Sequence, residues 1–401
     1  MTQPKPRPLE GVKVLDLSVF IAGPYCGTLF GDFGANVIKV EMPLIGDPLR
    51  RLGASQEGTS YYWRTISRNK ETITIDMRKA EGQSIVRALC READIVIENY
   101  RPGTLNKWGL DFETLRADNL RLIMVSVSGF GQTGPLKDLT SVARTAMAFG
   151  GLTHLVGEVG GKPLLPGVAA LADYLGGIYA AFGAMLALRS REATGEGQQV
   201  DLALFEPVFH MLEDHVEVFD KRGEVRGPCG AENPSAAPHT HFKTRDGAWI
   251  AIACSSDELF TRLAHAMGRP DLLDEPRFRT NQERIRVRNE IEGIVQDWAL
   301  SMDHGPLVSL LTQASVPAGK LYSMEDIMKD AHYAAREQII RVQTDDIGEM
   351  AMRGVIPKLT ETPGRVSRAG GALGRDTRSV LKRELAMSDE QLDGLARLGV
   401  I

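Results

Sequence analysis

The sequence predicts an α/β protein with a mostly parallel sheet in its first half and a smaller α+β unit in the middle of the chain. Three observations carry this. Over the first 130 residues, short β-branched runs alternate with helix-like stretches, the pattern of βαβ units with right-handed crossovers. A Gly/Pro-rich break, RGEVRGPCGAENPSAAP at 222–238, interrupts that pattern. Beyond it, one strand and three helical stretches form a second group.

The strands expected in the first half are VKVLDL at 12–17, NVIKVE at 36–41, TITIDM at 72–77, DIVIEN at 94–99 and LRLIMVSVS at 120–128. Helical stretches fall near 23–34, 79–92 and 104–108. A long helix is expected over 168–190, then a strand at 199–204. The second group comprises a strand at 248–254 and helices near 257–267, 282–302 and 305–314. After 316–321 the pattern is irregular, and no internal repeat or low-complexity tract occurs.

Composition narrows the function. With 401 residues, two domains are expected. Charged residues at 25% and apolar residues at 43% describe a globular chain, not a disordered one. A formal charge of −5 argues against a nucleic-acid partner. Cys26, Cys90, Cys229 and Cys254 form no C-x-x-C pair, so neither a disulfide framework nor a zinc site is expected. Free thiols suit a reducing compartment, and the start MTQPKPRPLEG has no apolar signal core; a cytoplasmic location is expected. Residues 168–188 are long enough to span a membrane. They are dominated by Ala and Gly and have no second segment like them, so they read as a buried helix, with no membrane partner.

Several motifs bear on chemistry. GFGQTG at 129–134 follows a strand and fits a dinucleotide-binding pattern, but Pro135, Lys137 and Asp138 interrupt before any helix. A Gly-rich turn approaching another ligand is the preferred reading. No serine sits in a nucleophile elbow. His239 and His241 share one strand face, yet their spacing to His210 or His215 matches no metal signature, so no metal is expected. Asp173 is the single charge within 168–188. A carboxylate there is costly unless hydrogen-bonded. It is either a helix cap or a nucleophilic or acid/base group in a dry cleft. Arg101 and Lys107 follow the strand at 94–99, and Lys137 follows the one at 120–128. In an open α/β sheet ligands bind outside the carboxyl ends of strands. Three cations there suit a phosphorylated ligand, against the plain alternative of three solvated charges.

Seven segments then align with a known family: VLDLS-x3-AGP at 14–24, GANVIKVE at 34–41, SRNK at 67–70, ADIVIENYRPG at 93–103, VSGFGQTGP at 127–135, LADYLGG at 171–177 and TGEGQQVDLALFE at 194–206. Over about residues 9–370 the chain resembles the family III CoA-transferases, the formyl-CoA and carnitine CoA-transferase group. The resemblance implies a Rossmann-like large domain at 1–222, a small domain at 223–330, and a return of 331–401 to the large domain. It also implies an interlocked homodimer. It places the catalytic aspartate at Asp173 and CoA contacts at Phe20, Ile21, Arg78, Arg101, Lys107 and Lys137. No permanently bound cofactor is implied; CoA and acyl-CoA are substrates.

Formyl-CoA transferases carry Gln where Ile21 stands and a poly-Gly loop not found near 225–245, which argues against formate/oxalate exchange. Acyl-CoA racemases of the same superfamily place an acid/base His where Val142 stands. PSAAPHTHFKTRDG at 234–247 looks like members acting on dicarboxylic acids. The expected activity is therefore CoA transfer from an acyl-CoA, succinyl-CoA by resemblance, to a small dicarboxylate through an aspartyl-CoA thioester. Arg50, Arg51, His239 and His241 are the candidate acid-binding residues. The alternatives are a racemase or a non-catalytic CoA- or dinucleotide-binding protein.

Overall fold

The structure, a computed structural model, describes residues 5–401. Strands run in chain order as β1 (Lys13–Asp16), β2 (Asn36–Glu41), the short hairpin β3 (Ser55–Gln56) and β4 (Thr59–Ser60), β5 (Lys70–Thr74), β6 (Ile95–Glu98), β7 (Ile123–Ser128) and β8 (Gln199–Ala203). The accompanying helices are α1 (Ala22–Asp32), α2 (Tyr61–Ile66), α3 (Ala80–Cys90), α4 (Thr104–Lys107), α5 (Phe112–Asp118), α6 (Ala143–Phe149), α7 (Leu152–Leu155), α8 (Leu171–Thr194), α9 (Phe205–Phe209) and α10 (His215–Arg222).

Six strands form one parallel sheet in the order β5-β2-β1-β6-β7-β8. Counted along the sheet this is 3-2-1-4-5-6, the doubly wound order whose direction reverses between β1 and β6. Both faces are buried, as the near-continuous apolar runs require. On one face Leu15, Val96 and Met124 pack against α3 and α5; on the other Val14, Ile95, Ile97 and Val125 pack against α1, α6 and α8.

Glycines set the α1–α8 contact. A Cβ on Gly177 would stand 2.8 Å from the Ala22 carbonyl oxygen and 2.9 Å from the Tyr25 ring; one on Gly176 would stand 2.7 Å from Leu204. These two positions in LADYLGG therefore let helix α8 lie directly on its neighbours. By length and apolarity α8 could cross a membrane. Its face of Ala172, Gly176, Gly177, Ala180, Ala184 and Ala187 is nevertheless buried within this unit.

The described chain divides into two compact units: residues 5–153, 165–224 and 332–401, and residues 154–164 with 225–331. The crossing at 224/225 lies inside the Gly/Pro-rich break. Residues 154–164 were expected in the large domain, but they belong to the second unit, where Gly230 N–H donates to the Gly157 carbonyl at 2.9 Å. That tie is a backbone bond between distant segments, which side-chain periodicity does not report.

The second unit has an antiparallel sheet of β9 (His239–Lys243), β10 (Trp249–Ala253) and β11 (Ala318–Lys320). It is covered by α11 (Asp257–Ala266), α12 (Asn281–Arg286), α13 (Arg288–Leu300) and α14 (His304–Gln313) around Phe242, Ile250, Phe260, Phe278 and Val295. The single helix expected over 282–302 breaks at Val287, just after the buried Arg284 turns to the Ala237 and Phe278 carbonyls. Two short helices, α15 (Met324–Lys329) and α16 (Ala331–Ala335), follow.

The irregular tail also proves structured. It forms the hairpin β12 (Ile339–Gln343) and β13 (Glu349–Arg353), then α17 (Thr377–Leu385) and α18 (Asp389–Arg397). This return covers edge strand β5. Thr72 N–H donates to Asp376 and Thr74 N–H to the Thr377 hydroxyl, so the edge lacks free donors there. Replacing Gly177 with Ala should push α1 and α8 apart and lower the unfolding free energy by about 1–3 kcal/mol. Urea unfolding checks this; an unchanged midpoint would mean the helices tolerate a side chain at their contact.

Candidate active site

The site begins beneath the reversal point of the sheet. Asp16, Lys39 and Lys70 come from adjacent strands β1, β2 and β5, and all three are 0% exposed. Lys70 Nζ lies 2.9 Å from Asp16 Oδ2; Lys39 Nζ lies 3.2 Å from Asp47 and 3.9 Å from Asp16. Burial alone would push Asp16 up, but Lys39 and Lys70 hold it below its ordinary pKa. Burial likewise opposes the charge on Lys39, and Asp16, Asp47 and Glu41 more than restore it. The cluster is thus a compensated set of buried ions.

This set fixes the loop that follows β1. Lys39 donates to the Ser18 carbonyl. Phe20 N–H donates to Asp47 Oδ1 at 3.1 Å, holding Phe20 at a φ of +63°, a left-handed conformation costly for a bulky residue. From the other side of the reversal, Asn99 grips Val19 at two points: Val19 N–H donates to Oδ1 and Nδ2 donates to the Val19 carbonyl, both at 2.7 Å. The loops after β1 and β6 are therefore one clamped unit.

Asp173 sits in the first turn of α8. It is three and four residues before Gly176 and Gly177, so it lies on the same buried face. Ala170 supplies no side-chain cap. Among the described residues the Asp173 carboxylate makes no hydrogen bond or ion pair, which removes the reading of a capping or amide-bonded aspartate. Burial pushes it up to about 6. The helix N-terminus favours the anion nonetheless. The result is a half-buried, uncommitted carboxylate that is largely ionised at neutral pH.

The cations expected to hold phosphate take different positions. Arg101, Lys107 and Lys137 are exposed, and among the described residues none has an ion-pair partner. Arg101 and Lys107 bracket a turn after β6, anchored by Leu105 and by the edge-to-face pair Tyr100–Trp108. Arg78 also follows a strand end, but its guanidinium already pairs with Asp76 at 2.9 Å. Phe20 is 48% exposed and available, whereas Ile21 is 5% exposed and packs with Leu49 and Trp63, shaping the loop from below.

Arg50 must be corrected. Its guanidinium is bound bidentately to Glu41 at 2.7 Å and stacked 3.7 Å from the Trp63 ring, so it cannot bind a substrate acid. Arg51 is exposed and donates to the Ile45 carbonyl. His239 and His241 both stand on β9 in the second unit. Burial first, then Arg288, lowers the His239 pKa. Among the described residues no cluster of three or more metal-ligating side chains occurs. The Gly-rich turn at 129–134 is not followed directly by a helix; instead its Gln132 N–H donates to Asp201.

Beyond the buried ion cluster, Asn99 and Glu98 were also not singled out from sequence. Asn99 is the clamp described above. Glu98, 4% exposed at the end of β6, accepts the Tyr100 N–H at 2.9 Å and is pushed up to about 7 by burial. Both are polar groups closing an apolar strand at its carboxyl end, the one signal that pointed to them.

A doubly wound sheet with an uncommitted carboxylate and free cations at its carboxyl edge suits group transfer from a phosphorylated ligand. Comparison with known proteins agrees: the family model of CoA-transferase family III matches residues 9–377, and the chain belongs to that family. It is 42% identical over 397 residues to the succinyl-CoA–L-malate CoA-transferase beta subunit of Chloroflexus aurantiacus, covering 98% of each chain. It is 41% identical over 401 residues to the succinyl-CoA–D-citramalate CoA-transferase of the same organism, covering 100% of each. The human succinyl-CoA:glutarate CoA-transferase is 30% identical over 397 residues, 98% of this chain and 90% of that one. A CAIB/BAIF family protein from Brucella suis superposes with a TM-score of 0.84 at 31% identity, over 95% of this chain and 100% of that one.

Two outcomes follow. Asp173 has a folded pKa of about 6, above its ordinary 3.8, so the folded state holds the proton more tightly. Its stabilisation is complete below pH 4 and lost as pH rises through 6. Asp173→Asn should therefore be more stable than wild type at pH 8, by about 1–3 kcal/mol, and lose that advantage below pH 4. Chemical denaturation at the two pH values measures it. Secondly, Lys107→Ala and Arg101→Ala should each raise the KM for a CoA ester by roughly 10-fold or more with little change in kcat. Unchanged KM values in steady-state assays would remove both from the phosphate site.

Proposed function

We propose that the protein transfers CoA from succinyl-CoA to a small dicarboxylic acid, with Asp173 as nucleophile. The observation that carries this is the uncommitted carboxylate at the first turn of α8. An Asp173 oxygen attacks the thioester carbonyl, the C–S bond breaks, and a mixed anhydride forms as CoA thiolate leaves. The thiolate then attacks the Asp173 acyl carbon, which releases succinate and leaves an aspartyl-CoA thioester. The acceptor carboxylate attacks that thioester, and thiolate returns to the new anhydride at the acceptor carbonyl. Asp173 is regenerated.

Each step exchanges one activated acyl group for another, so the thioester energy is kept. Water would hydrolyse either intermediate, and a buried nucleophile limits its access. A pKa near 6 makes the carboxylate a better nucleophile than an exposed aspartate while keeping it ionised at neutral pH. The named activities of the relatives support succinyl-CoA as donor and a dicarboxylate as acceptor. Racemisation would need a second acid/base group, and Val142, at the start of α6, cannot transfer a proton.

The assembly proposed is an interlocked homodimer. Ile178, Phe182, Met185 and Leu186 line the face of α8 turned away from the sheet and are 46%, 59%, 43% and 55% exposed. An apolar stripe of that kind favours a partner chain.

Incubation with succinyl-CoA and a panel of acids, read by mass of the new CoA esters, tests the activity. Malate, citramalate or glutarate should accept CoA, and Asp173→Asn should reduce transfer by several orders of magnitude. Hydroxylamine should modify Asp173 only when acyl-CoA is present. Near-normal transfer by Asp173→Asn would overturn the mechanism.

A further inference from the structure

With Arg50 committed to Glu41, a dicarboxylate needs another cation for its second charge. The neighbouring arginines are also engaged: Arg64 with Asp346 at 2.6 Å and Arg68 with Asp32 at 2.5 Å. Arg353, the last residue of β13, is different. Its carbonyl is held by Arg68 at 2.7 Å, which fixes the backbone. Its side chain is exposed, and among the described residues it has no carboxylate partner.

The guanidinium lies 5.4 Å from the centre of the Tyr174 ring, with one nitrogen 3.5 Å from the Tyr174 hydroxyl. Tyr174 directly follows Asp173. It packs edge-to-face on Tyr25 with centroids 4.9 Å apart. A free cation thus stands on an aromatic wall one residue from the nucleophile. It is not the nucleophile's counter-ion, because burial is the only influence that shifts Asp173. A cation in contact would have held the carboxylate down and weakened it as a nucleophile.

We infer that Arg353 binds the distal carboxylate of the acid, in donor and acceptor alike, while Asp173 reacts at the proximal one. The planar guanidinium matches a carboxylate at two points through charge-assisted bonds, and the aromatic ring of Tyr174 holds it oriented. This inference rests on the dicarboxylate reading above, and it makes Arg353 a residue that sets specificity without entering the covalent steps.

The test pairs each diacid with a monoacid of equal length. Transfer from succinyl-CoA to glutarate is compared with transfer from butyryl-CoA to valerate, in wild type, Arg353→Met and Arg353→Lys. Arg353→Met should lower kcat/KM for the diacid pair by roughly 10–100-fold, mainly through KM, and leave the monoacid pair within about twofold. Arg353→Lys should recover part of the loss. A parallel fall for both pairs would mean that Arg353 only props Tyr174, and no fall would mean that it touches neither acid; both overturn the inference. A diacid preference that wild type shows and Arg353→Met keeps removes Arg353 alone. A wild type that prefers the monoacid pair removes the dicarboxylate reading, and Arg353's role with it.

Discussion

The buried ion cluster around Asp16 is the constraint on which the site depends. Two lysines and two aspartates are withdrawn from water at the carboxyl end of β1, where the sheet changes direction. Removing one member of such a set leaves an uncompensated charge and costs about 3–5 kcal/mol. The cluster is therefore an all-or-none arrangement. What it holds in place is the loop from Ser18 to Ile21, and through Asn99 the loop carrying Arg101 and Lys107. A ligand laid across the reversal would meet one rigid edge and would not need to order two loops.

Four of the seven segments by which the chain resembles its family converge on this cluster. Asp16 and Ser18 come from VLDLS, Lys39 and Glu41 from NVIKVE, Lys70 from SRNK, and Asn99 from VIENY. None of these residues is a candidate for the chemistry. They build the floor under it. Asp173 is handled in the opposite way. It receives no counter-ion, only the helix N-terminus, and burial raises its pKa. One carboxylate is neutralised to position a loop, and the other is left uncommitted to react.

Much of the architecture was legible in local pattern. β2 matches its expected bounds at 36–41, and β7 ends where expected, because apolar runs between turns carry the signal of a buried parallel strand. The helices α17 and α18 were missed. They are short and largely polar, and they contribute only a few buried residues such as Val380, Leu381 and Leu392. The break at Val287 and the excursion of residues 154–164 depend on backbone bonds to distant segments, so no window of sequence contained them.

The same distinction separates the site residues. Asp173 could be named from sequence alone, because one charge in a long apolar helical stretch is anomalous whatever surrounds it. The fold class followed from periodicity, which is likewise local. Which cations are free was a tertiary decision. Arg50, Arg64 and Arg353 look alike in sequence, yet Glu41 captures the first, Asp346 captures the second from 282 residues away, and the third is left over an aromatic ring. Charge is a property of the residue, but its availability is a property of the partner that folding brings to it.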